Sequence, residues 1–195
     1  MAINLRKGQR IDIGLNNLTI GLGWDPNEGT DFDFAYDFDL DASAFMINNK
    51  HLIPKEEFFI FYGNIDSPDR ALHHTGDDPS GGNSDGDDDE SIEINLSKVD
   101  DSIEEIIFIV TIHEAENRKQ NFGQVRNSYI RIVNNENGEE IAKYELEEDF
   151  SIETAVEFGR LYKRNGAWKF EASGIGYQKD LAFFVEKYYK GNIIK

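Results

Sequence analysis

TAVEFGRLYKRNGAWKFEAS, residues 154 to 173, decides the fold class. Two β-rich runs, Thr154 to Lys163 and Trp168 to Ser173, flank Asn165-Gly166. Asn-Gly tolerates the two positive φ angles that a tight two-residue hairpin turn requires, and no other short signal for a hairpin is stronger. The chain around it repeats the pattern. Arg10 to Leu15 and Leu18 to Trp24 are alternating or β-rich about Asn16-Asn17, and Phe32 to Ile47 reads as a long strand ending at Asn48-Asn49. Phe58 to Tyr62 and Ile106 to Ile112 are compact apolar runs. Ser91 to Leu96 alternates, and Tyr129 to Val133 and Glu140 to Leu146 flank the turn cluster NNENG. About nine or ten short strands at regular spacing predict a mainly β chain, an antiparallel β-sandwich of two sheets.

Helices are few. In DLAFFVEKYYKG, Leu181, Phe184, Val185, Tyr188 and Tyr189 recur at helical spacing, with Asp180 suited to the start and Gly191 to the end. This predicts a C-terminal helix packed on the sandwich. Ser97 to Glu105 and Glu114 to Asn121 read as single turns or short helices. Strand signals continue on both sides of every loop, so residues 1–195 read as a single domain.

Composition narrows the class. The 195 residues are 39% hydrophobic with 14 Phe and 8 Tyr, enough for a real core. There is no Cys, which removes disulfides and thiolate zinc sites. MAINLRKGQR lacks an apolar signal core and no apolar run approaches a membrane span, so a cytoplasmic location is expected. Net charge is -18, which disfavours nucleic acid and bare anionic lipid as partners. The charge is local: residues 25 to 97 hold 19 acids against Lys50, Lys55 and Arg70.

GDDPSGGNSDGDDDES, residues 76 to 91, concentrates it. Asp77, Asp78, Asp85, Asp87, Asp88, Asp89 and Glu90 fall together, and no Lys or Arg occurs from 71 to 97. Two carboxylates about 4 Å apart repel by roughly 4 kcal/mol at an effective dielectric near 20, so a folded loop of this kind needs a cation. Hard oxygen ligands on a glycine-rich loop suit Ca²⁺ better than Mg²⁺, which demands octahedral geometry and keeps its waters. The alternative is a solvated acidic loop. DFDFAYDFDLDASAF, residues 31 to 45, favours the ion. Asp is unfavourable in strands, yet on a period of two Asp37, Asp39 and Asp41 share one face. A cation between this strand and the acidic loop relieves both. The spacing does not fit an EF-hand from either Asp37 or Asp85, so the expected site is of another kind.

GLGWD (21–25), FDLDASAF (38–45), FIFYGN (59–64), HTGDD (74–78), GDDDE (86–90), VTIHEAENRKQNFGQV (110–125), IRIVNNENGEEIAKYEL (130–146) and ETAVEFGRLYKRNGAWKF (153–170) run in order over nearly the whole chain. Together they resemble the TerD family of tellurium-resistance and stress-response proteins. The resemblance implies a single TerD-like domain, 1–195, in which a two-sheet sandwich binds one or two Ca²⁺ ions at one edge. It implies ligands at Asp39 and Asp41, at Asp77 and Asp78, and at Asp88, Asp89 and Glu90, with backbone carbonyls near Gly81 to Ser84. The longer PSGGNSD stretch leaves the choice among Asp85, Asp87, Asp88 and Asp89 open. It further implies a binding or scaffold protein working with other stress-response proteins, without an enzymatic reaction. A calcium-dependent membrane adaptor and a metal-dependent hydrolase are the alternatives.

Other motifs carry less. His73 and His74 are adjacent, so on a strand they face apart. HEAEN at 113–117 lacks the second His of a zincin, and neither GLG nor GIG continues as a dinucleotide loop. In NRKQNFGQVRN, residues 117 to 127, Arg118, Lys119 and Arg126 either reach the acidic region or an anionic partner, or are solvated about a packed Phe122. The solvated reading is the simpler one.

Overall fold

Asn165 and Gly166 both take positive φ, 54° and 77°, and form the tight turn that the dipeptide demands. The strands on either side pair in register from Arg160 opposite Glu171 to Arg164 opposite Ala167. The computed structural model describes residues 2–26, 36–81, 88–146 and 150–191.

In chain order the strands are β1 (Ile3–Asn4), β2 (Arg10–Asp12), β3 (Asn17–Gly23), β4 (Leu40–Asn48), β5 (Phe59–Ile60), β6 (Leu72–His74), β7 (Glu90–Asn95), β8 (Ile103–Ile112), β9 (Tyr129–Asn134), β10 (Glu139–Glu145), β11 (Ala155–Arg164), β12 (Ala167–Glu171) and β13 (Ile175–Tyr177). They form two sheets. One runs β1-β10-β9-β3-β7-β6, and the other β2-β12-β11-β8-β4-β5 with β13 alongside the start of β11. All pairings are antiparallel except β1 with β10. The mainly β, two-sheet architecture is therefore the one expected, with that single parallel pair added.

The core lies between the sheets. Leu18, Ile20 and Leu22 of β3 and Ile92 and Ile94 of β7 are buried at every second position, the half-buried alternation of an antiparallel strand. β4 and β8 are buried on both faces because α2 (Leu181–Tyr188) covers the outer side of their sheet. There Tyr188 packs on Phe45 with centroids 5.1 Å apart, and Phe45 stacks on Phe59 at 4.4 Å. Asp180 caps α2, its carboxylate accepting the Phe183 N–H at 3.0 Å. The helix ends at Tyr188, before Gly191, and the Tyr188 carbonyl accepts the Ile53 N–H at 2.9 Å.

Two stretches differ from the sequence reading. Of the expected strand Phe32–Ile47, Phe32 to Ala35 lie outside the described residues; Tyr36 to Asp39 are not in strand geometry, so β4 begins at Leu40 and Asp37 lies outside it. Ile103–Glu105 extends β8, leaving only Leu96–Lys98 as a turn of helix in that segment. Glu114 to Asn121 holds a single turn, α1 (Ala115–Arg118), as expected. No described helix is long and apolar enough to cross a membrane.

Candidate metal centre

The centre forms where β4 outruns its neighbour. β5 pairs only with Ala44 and Phe45, so Ala42 has no strand on that edge. A buried, unpaired N–H costs about 1–3 kcal/mol, so the edge must be satisfied some other way. Two side chains from the opposite sheet do it. Glu90, at the start of β7, accepts the Ala42 N–H at 2.8 Å. His74, at the end of β6, hydrogen-bonds the Ala42 carbonyl through Nε2 at 3.1 Å. The Gly76 N–H reaches His74 Nδ1 at 3.1 Å, which makes Nδ1 the acceptor and places the proton on Nε2. Glu90 and His74 are both buried, with Nε2 3.6 Å from Glu90 Oε2. His73 faces the other way and pairs with Asp66 at the surface, as two adjacent strand residues should.

Beside this clamp, Asp39, Asp41 and Asp77 bring carboxylate oxygens within 4.8 Å of one another. Asp39 precedes β4 and Asp41 lies on it; both are buried. Asp77 follows β6 and is exposed. Burial, then the charges of Glu90, Asp39 and Asp77, push the Asp41 carboxyl up to about 8. Burial also raises Asp39 against the pull of His113 and Arg118. Glu90 is raised by burial despite the hydrogen bonds from His74, Ala42 and Asp78. The hydroxyl of Tyr62, on the rim, is raised by burial and then by the same acids. His113 Nδ1 stands 3.9 Å from Asp41 Oδ2, and Arg118 Nη1 stands 3.4 Å from Asp39 Oδ2.

The residues fit a hard divalent cation. The donors are all oxygen, and among the described residues the acids gather around few positive charges: Arg118 approaches Asp39, and the His113 ring lies near Asp41. Two buried hydroxyls next to Asp41 have no hydrogen-bond partner: Ser43 Oγ, two residues along β4, and Thr111 Oγ1, directly across the strand pair. Buried hydroxyls are normally satisfied, so this patch has donor and acceptor capacity to spare.

The other expected ligands are placed differently. Asp78 turns the loop: its Oδ1 accepts from Ser80 N and Oγ at 3.0 Å and from Gly81 N at 3.2 Å. Asp88 lies on the outer face of the other sheet, taking Arg131 Nε at 2.8 Å and the Tyr129 hydroxyl at 3.3 Å. It rests against Gly21, where a Cβ would lie 2.0 Å from its carboxylate and so would have to displace it. Asp89 accepts the Trp24 N–H at 2.8 Å and ties the returning loop to the end of β3. Asp85 and Asp87 lie outside the described residues, as do Gly82 to Ser84. The geometry thus joins Asp39, Asp41 and Asp77, with Glu90 behind them.

Arg118 and His113 were the neighbours that the sequence left unassigned. In NRKQNFGQVRN, Phe122 is buried as expected, but Arg118 reaches Asp39 and its guanidinium stacks 5.4 Å above the Tyr36 ring. Nothing local marks Arg118 out from Lys119; its partner is 79 residues away.

A two-sheet sandwich with carboxylates gathered at one strand edge is the class that fold and centre define. The TerD domain profile matches residues 1–188. The chain is 46% identical to the tellurium resistance protein TerD of an Alcaligenes species, over 96% of this chain and 97% of that protein. It is 45% identical to general stress protein 16U of Bacillus subtilis, with the same coverage. The crystal structure of a TerD homologue from Streptomyces coelicolor superposes with a TM-score of 0.71 at 22% identity, over 88% of this chain and 95% of that one. The chain belongs to the TerD domain family of tellurium-resistance and stress-response proteins.

Proposed function

We propose that the chain is a calcium-binding module of a stress or tellurite response, acting in the cytoplasm by holding other stress-response proteins and not by catalysis. The convergence of Asp39, Asp41 and Asp77 within 4.8 Å carries this reading. Ca²⁺ takes six to eight oxygens in flexible geometry, which suits two strand carboxylates plus one on a loop. Asp39, Asp41 and Asp77 would hold the ion. Glu90 would remain the clamp on Ala42 behind it.

Bound there, the ion would neutralise the charge of the converging carboxylates of Asp39, Asp41 and Asp77. The protein's own residues do the rest: Glu90 and His74 fix the strand edge from which Asp41 projects, and Asp78 sets the turn that carries Asp77. The names of the relatives supply the setting, resistance to tellurium compounds and general stress. Calorimetric titration of the chelator-stripped protein with Ca²⁺, repeated with Mg²⁺ as competitor, tests the reading. Saturable binding at one or two sites, tighter than for Mg²⁺, is expected. Weak, salt-sensitive binding alone would overturn it.

A further inference from the structure

Arg118 is held beside the centre more by charge than by geometry. Its one hydrogen bond to Asp39 is long, 3.4 Å. Its Nε is buried with no hydrogen-bond partner and lies 3.6 Å from Glu114 Oε2. A guanidinium offers five donors in a planar fork, and this one uses little of that capacity. On Asp39 a divalent ion competes with the guanidinium for the same negative charge. An ion among Asp39, Asp41 and Asp77 sets positive charge against positive charge at this contact.

Resting on the calcium reading above, we propose that Arg118 is a built-in counter-cation that Ca²⁺ must displace from Asp39, so that α1 senses whether the centre is filled. In the ion-free centre Arg118 offsets part of the carboxylate repulsion. When the ion arrives, Glu114, four residues earlier and half exposed, receives the guanidinium. α1 is a single turn bracketed by Glu114 and Lys119, non-glycine residues at φ 50° and 55°, a conformation that holds only where its surroundings impose it.

Both ends of the segment are tied to the chain leading into β4. The His113 N–H donates to the Asp39 carbonyl at 2.8 Å, and Gln120 Nε2 donates to the Tyr36 and Asp37 carbonyls at 3.1 Å. The far side of the same segment forms one wall of a cleft of about 990 Å³, where Glu116, Lys119 and Asn121 face Lys179, Asp180 and Phe183. Displacement of Arg118 therefore alters the wall of a cleft that the ion does not touch, and it gives this module a surface that differs between its filled and empty states.

The test compares wild type, Arg118→Gln and Arg118→Lys by Ca²⁺ calorimetry, by thermal unfolding with chelator or Ca²⁺, and by hydrogen exchange over residues 113–121 and 178–186. The Gln variant should bind Ca²⁺ about tenfold tighter, because a competing charge is gone. It should also melt lower in chelator and gain more from Ca²⁺ than wild type. The Lys variant should stay near wild type in affinity. Exchange over 113–121 should change on adding Ca²⁺ to wild type. A merely structural arginine would lower stability and affinity together, and that result overturns the proposal. So does unchanged exchange in wild type, which needs no variant to fold. Wild type that fails to bind Ca²⁺ removes the calcium reading itself, whereas normal binding with no gain in the Gln variant removes only the role of Arg118.

Discussion

Two clusters of charge sit on the same seven-stranded sheet, and they behave in opposite ways. At one end, Arg160 reaches Glu105 and Glu171, each at 2.8 Å, and Arg10 takes the second oxygen of Glu171 at 3.0 Å. Burial works against the Glu171 charge, but the bonds from Arg160 and Arg10 hold its carboxyl below the ordinary range. At the other end, burial and mutual repulsion push Asp41 up to about 8. Both clusters draw acids from several strands. The first bonds its acids to arginines at 2.8 and 3.0 Å, whereas in the second Arg118 meets Asp39 only at 3.4 Å. A charge cluster that satisfies itself reads as scaffold, whereas one that raises the pKa of its own acids is a candidate for binding something outside the chain, as proposed above.

The sharpest way to break that contrast is to remove one acid from the raised-pKa cluster and compare it with an exposed acid outside both clusters. Asp41→Asn keeps the shape and deletes the charge. Calcium affinity should fall by roughly 100-fold or more, beyond the 10- to 100-fold usual for residues that only support a ligand. In chelator the same variant should melt higher than wild type, because a buried repulsion is gone. Asp12→Ala, at an exposed residue paired with Lys169, should change neither. Equal calcium affinity in the two variants would sink the assignment of Asp41.

Stability against pH sharpens the contrast further. A carboxyl whose folded pKa is raised stabilises the fold fully below its unfolded pKa, near 4, and that contribution is lost as pH climbs through the folded value. For Asp41 the loss runs from about pH 4 to 8. Glu171 is lowered, so its contribution is present above its unfolded pKa and disappears in acid. The stripped protein should therefore lose stability between pH 6 and 8.5, by about 4 °C or more in Tm. Saturating Ca²⁺ should flatten that slope, since the ion takes the proton's place on Asp41. A slope unchanged by Ca²⁺ would mean that the ion, if bound, does not meet Asp41.

How far the sequence could reach follows from where each partner sits along the chain. The Asn165-Gly166 hairpin was legible because turn and strands are contiguous and the φ requirement is local. Asp39 and Asp41 were legible as a pair because the spacing of two puts them on one side of β4. The run from Asp85 to Glu90 was not divisible by reading, since like acids in a row carry no mark of their partners. Asp88 is distinguished by Arg131, 43 residues on, and Asp89 by Trp24, 65 residues back. β6 escaped notice because Leu72-His73-His74 is too short to show a period, yet it places both His74 and Asp77. Of the strand expected from Phe32, Phe32 to Ala35 lie outside the described residues, and Tyr36 to Asp39 precede strand pairing: their alternation of Asp and aromatic residues imitates a strand face without a partner strand.

The smallest effect falls on the self-satisfied cluster. Arg160→Gln removes the cation between Glu105 and Glu171 and leaves Arg10 to neutralise Glu171 alone. These side chains are partly exposed, so solvent screens much of the repulsion that results. The loss should exceed that of an ordinary surface pair and fall short of a fully buried one, about 1 kcal/mol, or about 2–4 °C in Tm. Calcium affinity should not move, because the hairpin end of the sheet shares no residue with the Asp39–Asp41 edge. If Arg160→Gln weakened Ca²⁺ binding as well, the two clusters would be energetically coupled through β8, the strand that carries Glu105 at one end and Thr111, across from Asp41, at the other. Unfolding in denaturant and calcium titration on the same preparation distinguish a purely local cost from that coupling.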